Sequence, residues 1–435
     1  MASHIFWRSA NGRADGEIPV ELLHEWGEKS SIVGDQVQQT GIGGCEEIET
    51  ALRIRFVVSA RGKELNEIDT WNICRSALIE EIKRLGGKKP LEPGHFVSVA
   101  NQKASTFYCQ PLENYLLISS LSIVAMPSPS IRLGSCTIKS ISDRRKFPIP
   151  TSIEQLAEHS LFRRHFSATN YKWIQVECRG RSPAEAAESA MDALALLRAY
   201  WTFICTYNRT SKHWTLNPRR KSLSVVHVGP FHTLHHPDGR LVSQDGYWFE
   251  AGLEDDRDLF RPASGWPEVR KKFTALRNIV ARRPYRVELE ALFRRYVTAL
   301  DQTEPDVALL QLWSLMERVS GVIGERYDEV IRRMIFPIKS NVLGCKRLLE
   351  SLRIQRNRFT HAAVAANQGD QVAQLAKIFL EPHLYLLATN AYKIASLEEY
   401  AELLSETKEV EQLLKLRRRT NKVLKIFHRP TKPKT

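Results

Sequence analysis

The run Asn341–His361, NVLGCKRLLESLRIQRNRFTH, decides how the C-terminal part of this chain is read. Cys345, Leu349, Leu352, Phe359 and Ala363 follow one another at helical spacings and make one apolar face. Arg356 falls in the gap of that stripe, four residues after Leu352 and three before Phe359. A guanidinium on a core-facing line is costly unless it is paired or borders a cleft. Asn357 and His361 follow it at once.

Working outward, the same helical pattern recurs over Pro267–Ala281, Arg286–Leu300, Pro305–Ser320, Glu325–Ile335, Asp370–Ala395 and Leu397–Leu416. Ser264, Thr303 and Ser396 stand where caps belong, and Pro284, Pro305 and Pro337 punctuate the joints. The short connections imply a helical bundle. Beyond Leu416 the chain reads RRRTNKVLKIFHRPTKPKT, without an acidic residue, which predicts a disordered tail.

Before about Ser264 the reading is mixed. Leu52–Arg61, Phe96–Ala100, Thr106–Cys109, Tyr115–Ala125, Arg132–Ile141 and Tyr171–Cys178 are rich in β-branched and aromatic residues and predict strands. Ile68–Leu85 carries Trp71, Leu78, Ile82 and Leu85 at helical spacing. Ser182-Pro183-Ala184-Glu185 is a capping box that opens a helix to about Tyr207. Lys221–Gly229 and Arg240–Phe249 predict a hairpin around Pro237-Asp238-Gly239. The fold class is therefore α+β, a mixed α/β N-terminal region followed by an all-α bundle. The expected division is 1–262, 263–416 and the tail 417–435, with the linker near Asp255–Ser264.

Charge sharpens this division. The chain has 63 Lys and Arg against 49 Asp and Glu. Residues 261–435 hold 32 basic and 19 acidic side chains, and the first 260 hold 31 and 30, so the excess is C-terminal. Concentrated positive charge attracts polyanions, of which nucleic acid is the commonest in the cytosol. Seven dispersed cysteines without a Cys-x-x-Cys pair fit reduced thiols in a cytoplasmic protein. The start has no apolar run of the length a secretory leader needs. Tyr115–Met126 is too short to span a bilayer and Ala190–Tyr207 is interrupted by Arg198, so no membrane partner is expected.

Arg356-Asn357-Arg358-Phe359-Thr360-His361 resembles the motif of the HEPN domains: Arg, often followed by Asn, then His after four to six residues, on a helical bundle. The upstream Leu309–Glu317 helix, with Trp313, is similar to that of the ApeA-like branch of bacterial anti-phage, abortive-infection proteins. Ala362 stands where many members have glycine. The resemblance covers roughly residues 285–395. It implies a metal-independent endoribonuclease toxin that needs no cofactor, is active as a homodimer through the C-terminal bundle, and is set off by a phage-derived trigger. Arg356, Asn357 and His361 would be catalytic, and Arg353, Arg358, Arg417, Arg418 and Arg419 would bind RNA. Histidine can exchange a proton at cellular pH while the RNA 2′-hydroxyl attacks its own phosphate. Arginine can hold two phosphate oxygens, and Asn357 can orient it. Five residues put Arg356 and His361 about 140° apart on a straight helix; a helix break near Thr360, or a second domain contributing its own pair, would resolve this. The alternative is a non-catalytic HEPN module that binds RNA or nucleotide as a scaffold; DNA binding through basic helices is a third reading.

Other signals read as structural. Arg220 and His227 match the same spacing within an expected hairpin. His227, His232, His235 and His236 lack carboxylate or thiol ligands at metal-site spacing and predict an exposed turn, not a metal site. Gly41-Ile42-Gly43-Gly44 lacks the end of a phosphate loop, and Glu254–Asp258 reads as a solvated linker.

Overall fold

The structure, a computed structural model, describes residues 3–7, 20–28, 30–33, 36–39, 45–60, 63–86, 92–141, 146–148, 171–207, 222–243, 247–249, 259–322, 324, 326–362, 369–406 and 409–427. Side chains are described for these except 3–7, 20, 30–33, 36–39, 45–47, 60, 63, 247–249, 361–362, 369–370 and 425–427. Gly41–Gly44 and Glu254–Asp258 lie outside the described residues. The chain is α+β and divides into two units. The first takes Met1–Leu121, Pro129–Leu194 and Gly229–Asp256; the second takes Ser122–Ser128, Ala195–Val228 and Arg257–Thr435.

The first unit opens with β1 (Ser3–Trp7), α1 (Val20–Glu28), β2 (Ser30–Val33), β3 (Gln36–Gln39), α2 (Cys45–Arg55), β4 (Phe56–Ala60), β5 (Lys63–Glu64), α3 (Glu67–Leu85) and α4 (Pro93–Cys109). Strands β1, β4 and β5 form a small antiparallel sheet. The helices cover a core of Leu23, Trp26, Leu52, Trp71, Leu78 and Phe96. Helix α3 forms where expected: Asn66 Oδ1 accepts from the Asp69 N–H at 2.8 Å, and left-handed Gly86 closes the far end.

Two expected strands are instead helix. Residues 96–100 and 106–109 belong to α4, whose buried Phe96, Val99, Ala100, Ala104 and Phe107 keep a helical period across the whole span. Short β-branched runs hid that period, and Pro93 opens the helix. Likewise Leu52–Arg55 finishes α2 before β4 begins.

A larger antiparallel sheet follows, from β6 (Glu113–Leu121), β7 (Ser130–Leu133), β8 (Cys136–Ser140), β9 (Lys172–Gly180), β10 (Phe231–His235) and β11 (Tyr247–Phe249), in the order β11-β10-β6-β9-β8-β7. Tyr115, Leu117, Ile131, Ile138, Ile174 and Val176 are buried on one face. Helix α5 (Pro183–Thr206) starts as read, with Ser182 Oγ accepting from the Glu185 N–H at 2.9 Å. The hairpin is displaced: β10 is its first strand, and residues 222–228 are irregular chain of the second unit, where Leu223 N–H donates to Leu300 O. His227, His232 and His235 are buried, not exposed as expected. In the first unit His232 contacts Ser119 Oγ at 3.0 Å, and His235 contacts Thr233 Oγ1 and Gly239 O.

The second unit is helical: α6 (Gly265–Ala281), α7 (Arg286–Asp301), α8 (Pro305–Ser320), α9 (Tyr327–Met334), α10 (Val342–Ala362), α11 (Gly369–Thr389), α12 (Leu397–Ser405) and α13 (Val410–Phe427). Helix α8 is central, packing on α7, α9, α10, α11 and α12. Ser396 caps α12, accepting from Glu399 N–H, whereas Ser264 makes no side-chain cap bond and Glu304, not Thr303, precedes α8. The expected single helix 397–416 is two, α12 and α13. The expected disordered tail is helical to Phe427, because Val410–Phe427 keeps an amphipathic period that the run of cations does not interrupt. Residues 428–435 lie outside the described residues. Arg198, which interrupts the apolar run of α5, is buried and paired with Asp301 of α7.

His383 of α11 is enclosed, with Nδ1 2.9 Å from the Tyr400 hydroxyl and Nε2 3.0 Å from Met334 O. Burial pushes its pKa down to about 4, so the folded ring is neutral. Protonation then favours the unfolded chain. The contribution is intact above the unfolded value of about 6.5 and is lost as pH falls toward 4, a swing of about 3 kcal/mol. Glu290 and Glu317, raised by burial, titrate in the opposite sense. Comparing His383→Gln with the parent therefore isolates the effect. Denaturant midpoints measured from pH 7 to pH 4 should fall less in His383→Gln; equal falls would refute this assignment.

Candidate functional site

Helix α10 runs without interruption from Val342 through the whole motif to Ala362. Leu349 and Leu352 are buried on its inner line, and Arg356, the next residue of that line, is half-buried. Helix α9 supplies what meets it. Arg356 Nη1 donates to the Tyr327 hydroxyl at 2.9 Å, and the guanidinium lies over the Tyr327 ring at 5.0 Å. The same nitrogen donates to Asn357 Oδ1 at 3.2 Å, the orienting contact expected of Asn357.

Both partners are neutral. No carboxylate among the described residues stands within ion-pairing distance of Arg356, and its Nε is buried without a hydrogen-bond partner. An inward cation with one nitrogen unsatisfied is costly unless an anion arrives. Helix α8 completes the surroundings. Trp313 stands edge-on to Tyr327 with ring centroids 6.3 Å apart, and its Nε1 donates to Glu317 at 2.9 Å. Burial raises the Glu317 carboxyl above its ordinary range; the Trp313 hydrogen bond and the charge of Arg356 oppose this. Glu317 thus stands near Arg356 without pairing with it.

The remaining predicted residues divide. Arg353 pairs with Asp328 at 2.6 Å, but Asp328 is 90% exposed, so the pair holds little energy. Arg353 also lines a cleft of about 600 Å³ beside Tyr327, together with Arg326, Arg332 and Lys346. Arg358 is exposed. Arg417, Arg418 and Arg419 are exposed on α13, and no described bond joins them to Arg356. His361 lies on α10, but its side chain is outside the described ones. The helix does not break near Thr360, whose hydroxyl donates back to Arg356 O at 2.8 Å. The helix break expected near Thr360 is therefore absent.

Tyr327 and Glu317 are the site residues that sequence reasoning did not assign. Glu317 had a signal, since it stands four after Trp313 on the helix that resembles the family. Tyr327 had none, because its role comes from how α9 meets α10. A Ser-His-Asp group is also brought together. However, Ser224 Oγ donates directly to Asp301 at 2.6 Å, and His227 Nδ1 lies 3.7 Å from that carboxylate. A nucleophilic serine hands its proton to the histidine. Here the carboxylate takes the proton bond and also holds Arg198, which makes the group a buried clasp.

Among the described residues no cluster of three or more metal-ligating side chains occurs, and no helix is long and apolar enough to cross a membrane. Comparison with known proteins finds no matching family model, curated protein or solved structure.

Proposed function

We propose that the chain is a HEPN-type, metal-independent endoribonuclease of anti-phage defence, acting as a homodimer through its second unit. The observation that supports this reading most is Arg356: half-buried, oriented by Tyr327 and Asn357, and unpaired with any described carboxylate. A phosphate diester supplies the missing charge and can accept from the unsatisfied Nε. The 2′-oxygen attacks phosphorus as it loses its proton, the bond to the 5′-oxygen breaks to leave a 2′,3′-cyclic phosphate, and the leaving 5′-oxygen is protonated; His361 and its counterpart in the partner chain carry these protons. The cations beside Tyr327 and those on α13 hold the flanking RNA by charge, so binding weakens steeply with salt. The first unit, which lacks the basic excess of the C-terminal part, restrains the nuclease or senses infection.

The experiment is incubation of the purified full chain with total RNA, and separately with plasmid DNA, in chelator. RNA should be cut to fragments with 2′,3′-cyclic phosphate ends, fully 2′-O-methylated RNA should survive, and the plasmid should stay intact. Activity that vanishes in chelator and returns with magnesium or manganese would refute the mechanism. No cleavage under any condition, with RNA still bound, would favour the scaffold reading.

A further inference from the structure

The second face of the larger sheet of the first unit is open where Asn114, Arg132 and Arg179 lie, beyond the buried Ile118, Thr233 and His235. Strand register sets its composition. Leu116 pairs with Glu177, Glu177 with Thr137, and Thr137 with Arg132, so these residues form one row across β6, β9, β8 and β7. Directly paired residues share a face, and so do residues two apart on a strand. Asn114, paired with Arg179, makes the neighbouring row, and Gln175 lies on the other side. These rows floor a cleft of about 770 Å³, walled by Lys146, Phe147 and the turn Pro237–Gly239. The turn is fixed from below: His235 Nδ1 bonds Gly239 O at 3.0 Å, and Phe147 stands edge-on to the His235 ring.

Charge in the cleft is lopsided. Its two carboxylates are already engaged, Glu177 by Lys139 at 2.5 Å and Asp238 by Arg240 at 2.6 Å, and neither of those cations lines the cleft. Arg132, Lys146 and Arg179 do line it. Arg179 spends its Nε on the neutral Asn114 Oδ1 at 2.9 Å. Small-molecule sites are commonly apolar with a few polar groups. Most residues lining this one are polar or charged, which suits a polar, multiply charged anion. Arg179, whose Nη nitrogens make no described bond, can hold phosphate oxygens, and the exposed Lys146 adds a point charge. Asn114, Ser135, Thr137 and Gln175 offer neutral donors and acceptors of the kind sugar hydroxyls need, and Phe147 offers a flat apolar surface.

We propose that this cleft on the sheet binds a phosphorylated small molecule of nucleotide size. The volume is far more than a lone phosphate fills, and it falls within the range of sites for drug-sized ligands. The proposal concerns the first unit alone and does not rest on the ribonuclease reading.

The probe is radiolabelled ATP, in equilibrium dialysis against the full chain at about 0.15 M salt, where diffuse charge effects are screened. Adenosine and inorganic pyrophosphate serve as competitors. The parent should bind ATP, with pyrophosphate competing and adenosine at least ~100-fold weaker, since the phosphates carry the recognition. The double variant Lys146→Glu and Arg179→Glu should bind ATP at least ~10-fold more weakly. Both residues are exposed, so the fold should survive, and an unchanged thermal midpoint checks this. Arg356→Ala, in the other unit, should bind ATP as the parent does. The proposal is overturned if ATP does not bind, if adenosine binds as well as ATP, if the double variant binds normally, or if Arg356→Ala alone removes binding.

Discussion

His361→Ala should lose RNA cleavage by a factor of ~10²–10⁴ while binding RNA almost as the parent does, because a group that moves a proton acts in the transition state and adds little to ground-state affinity. Arg356→Ala should lose a similar factor for another reason. The guanidinium stabilises charge that grows on the phosphate, and removing one such donor costs ~10²–10³ in rate. Arg356→Lys should not rescue it. With two of its three donors on Tyr327 and Asn357, an ammonium has one left for the phosphate, whereas the guanidinium keeps Nε and Nη2. Helix α10 is continuous through the motif, so one chain projects its Arg and His about 140° apart. The proposed homodimer answers this with a composite site. Mixing His361→Ala chains with Arg356→Ala chains should restore activity, since the mixed dimer contains one site with both residues intact. The checks are single-turnover cleavage at saturating RNA and the activity of the mixture against each variant alone. His361→Ala protein that still cuts RNA refutes the assignment of the motif, and full activity in a monomer refutes the dimer.

How much of this was legible in the sequence depends on whether a signal was local. The helices of the second unit were readable because each carries its own apolar period, and Pro305–Ser320 has the predicted bounds. The strands of the large sheet were readable where alternation is strong, as in Lys172–Gly180. Residues 96–109 misled because Phe96, Val99, Thr106 and Phe107 favour strands locally, while the helical period shows only across the whole span. The buried histidines misled for a related reason: a polar residue near a turn looks exposed until the sheet that covers it is known. At the site, Arg356 betrayed itself by interrupting an apolar line. The Tyr327 ring beneath it depends on the packing of α9 against α10, which no spacing encodes.

Glu381→Ala should destabilise the second unit by about 3–5 kcal/mol, the cost of leaving a buried charge without its partner. Glu381 is fully buried on α11, and Lys377, one turn earlier, is nearly so. Lys377 Nζ lies 2.8 Å from Glu381 Oε1 and donates to Thr206 O at 2.9 Å, while the Tyr296 hydroxyl donates to the same carboxylate at 2.6 Å. Truncating Glu381 leaves an ammonium and a phenol in the interior, each lacking an acceptor that water cannot readily replace. Glu381→Gln keeps an acceptor for Tyr296 but not the charge, so its loss should be intermediate. The paired change Lys377→Met with Glu381→Leu removes both charges and should recover most of the stability, because a packed apolar pair avoids the desolvation that the ion pair must overcome. Denaturant unfolding of the full chain, following the transition of the second unit, gives these differences. A loss below ~1 kcal/mol in Glu381→Ala would show that the pair is effectively solvated. The same variants separate support from chemistry. Helix α11 packs on both α8, which carries Trp313 and Glu317, and α10, which carries Arg356. Glu381→Ala should therefore reduce cleavage only in step with the folded fraction and approach parent activity well below its own transition, whereas Arg356→Ala stays inactive at every temperature at which it is folded.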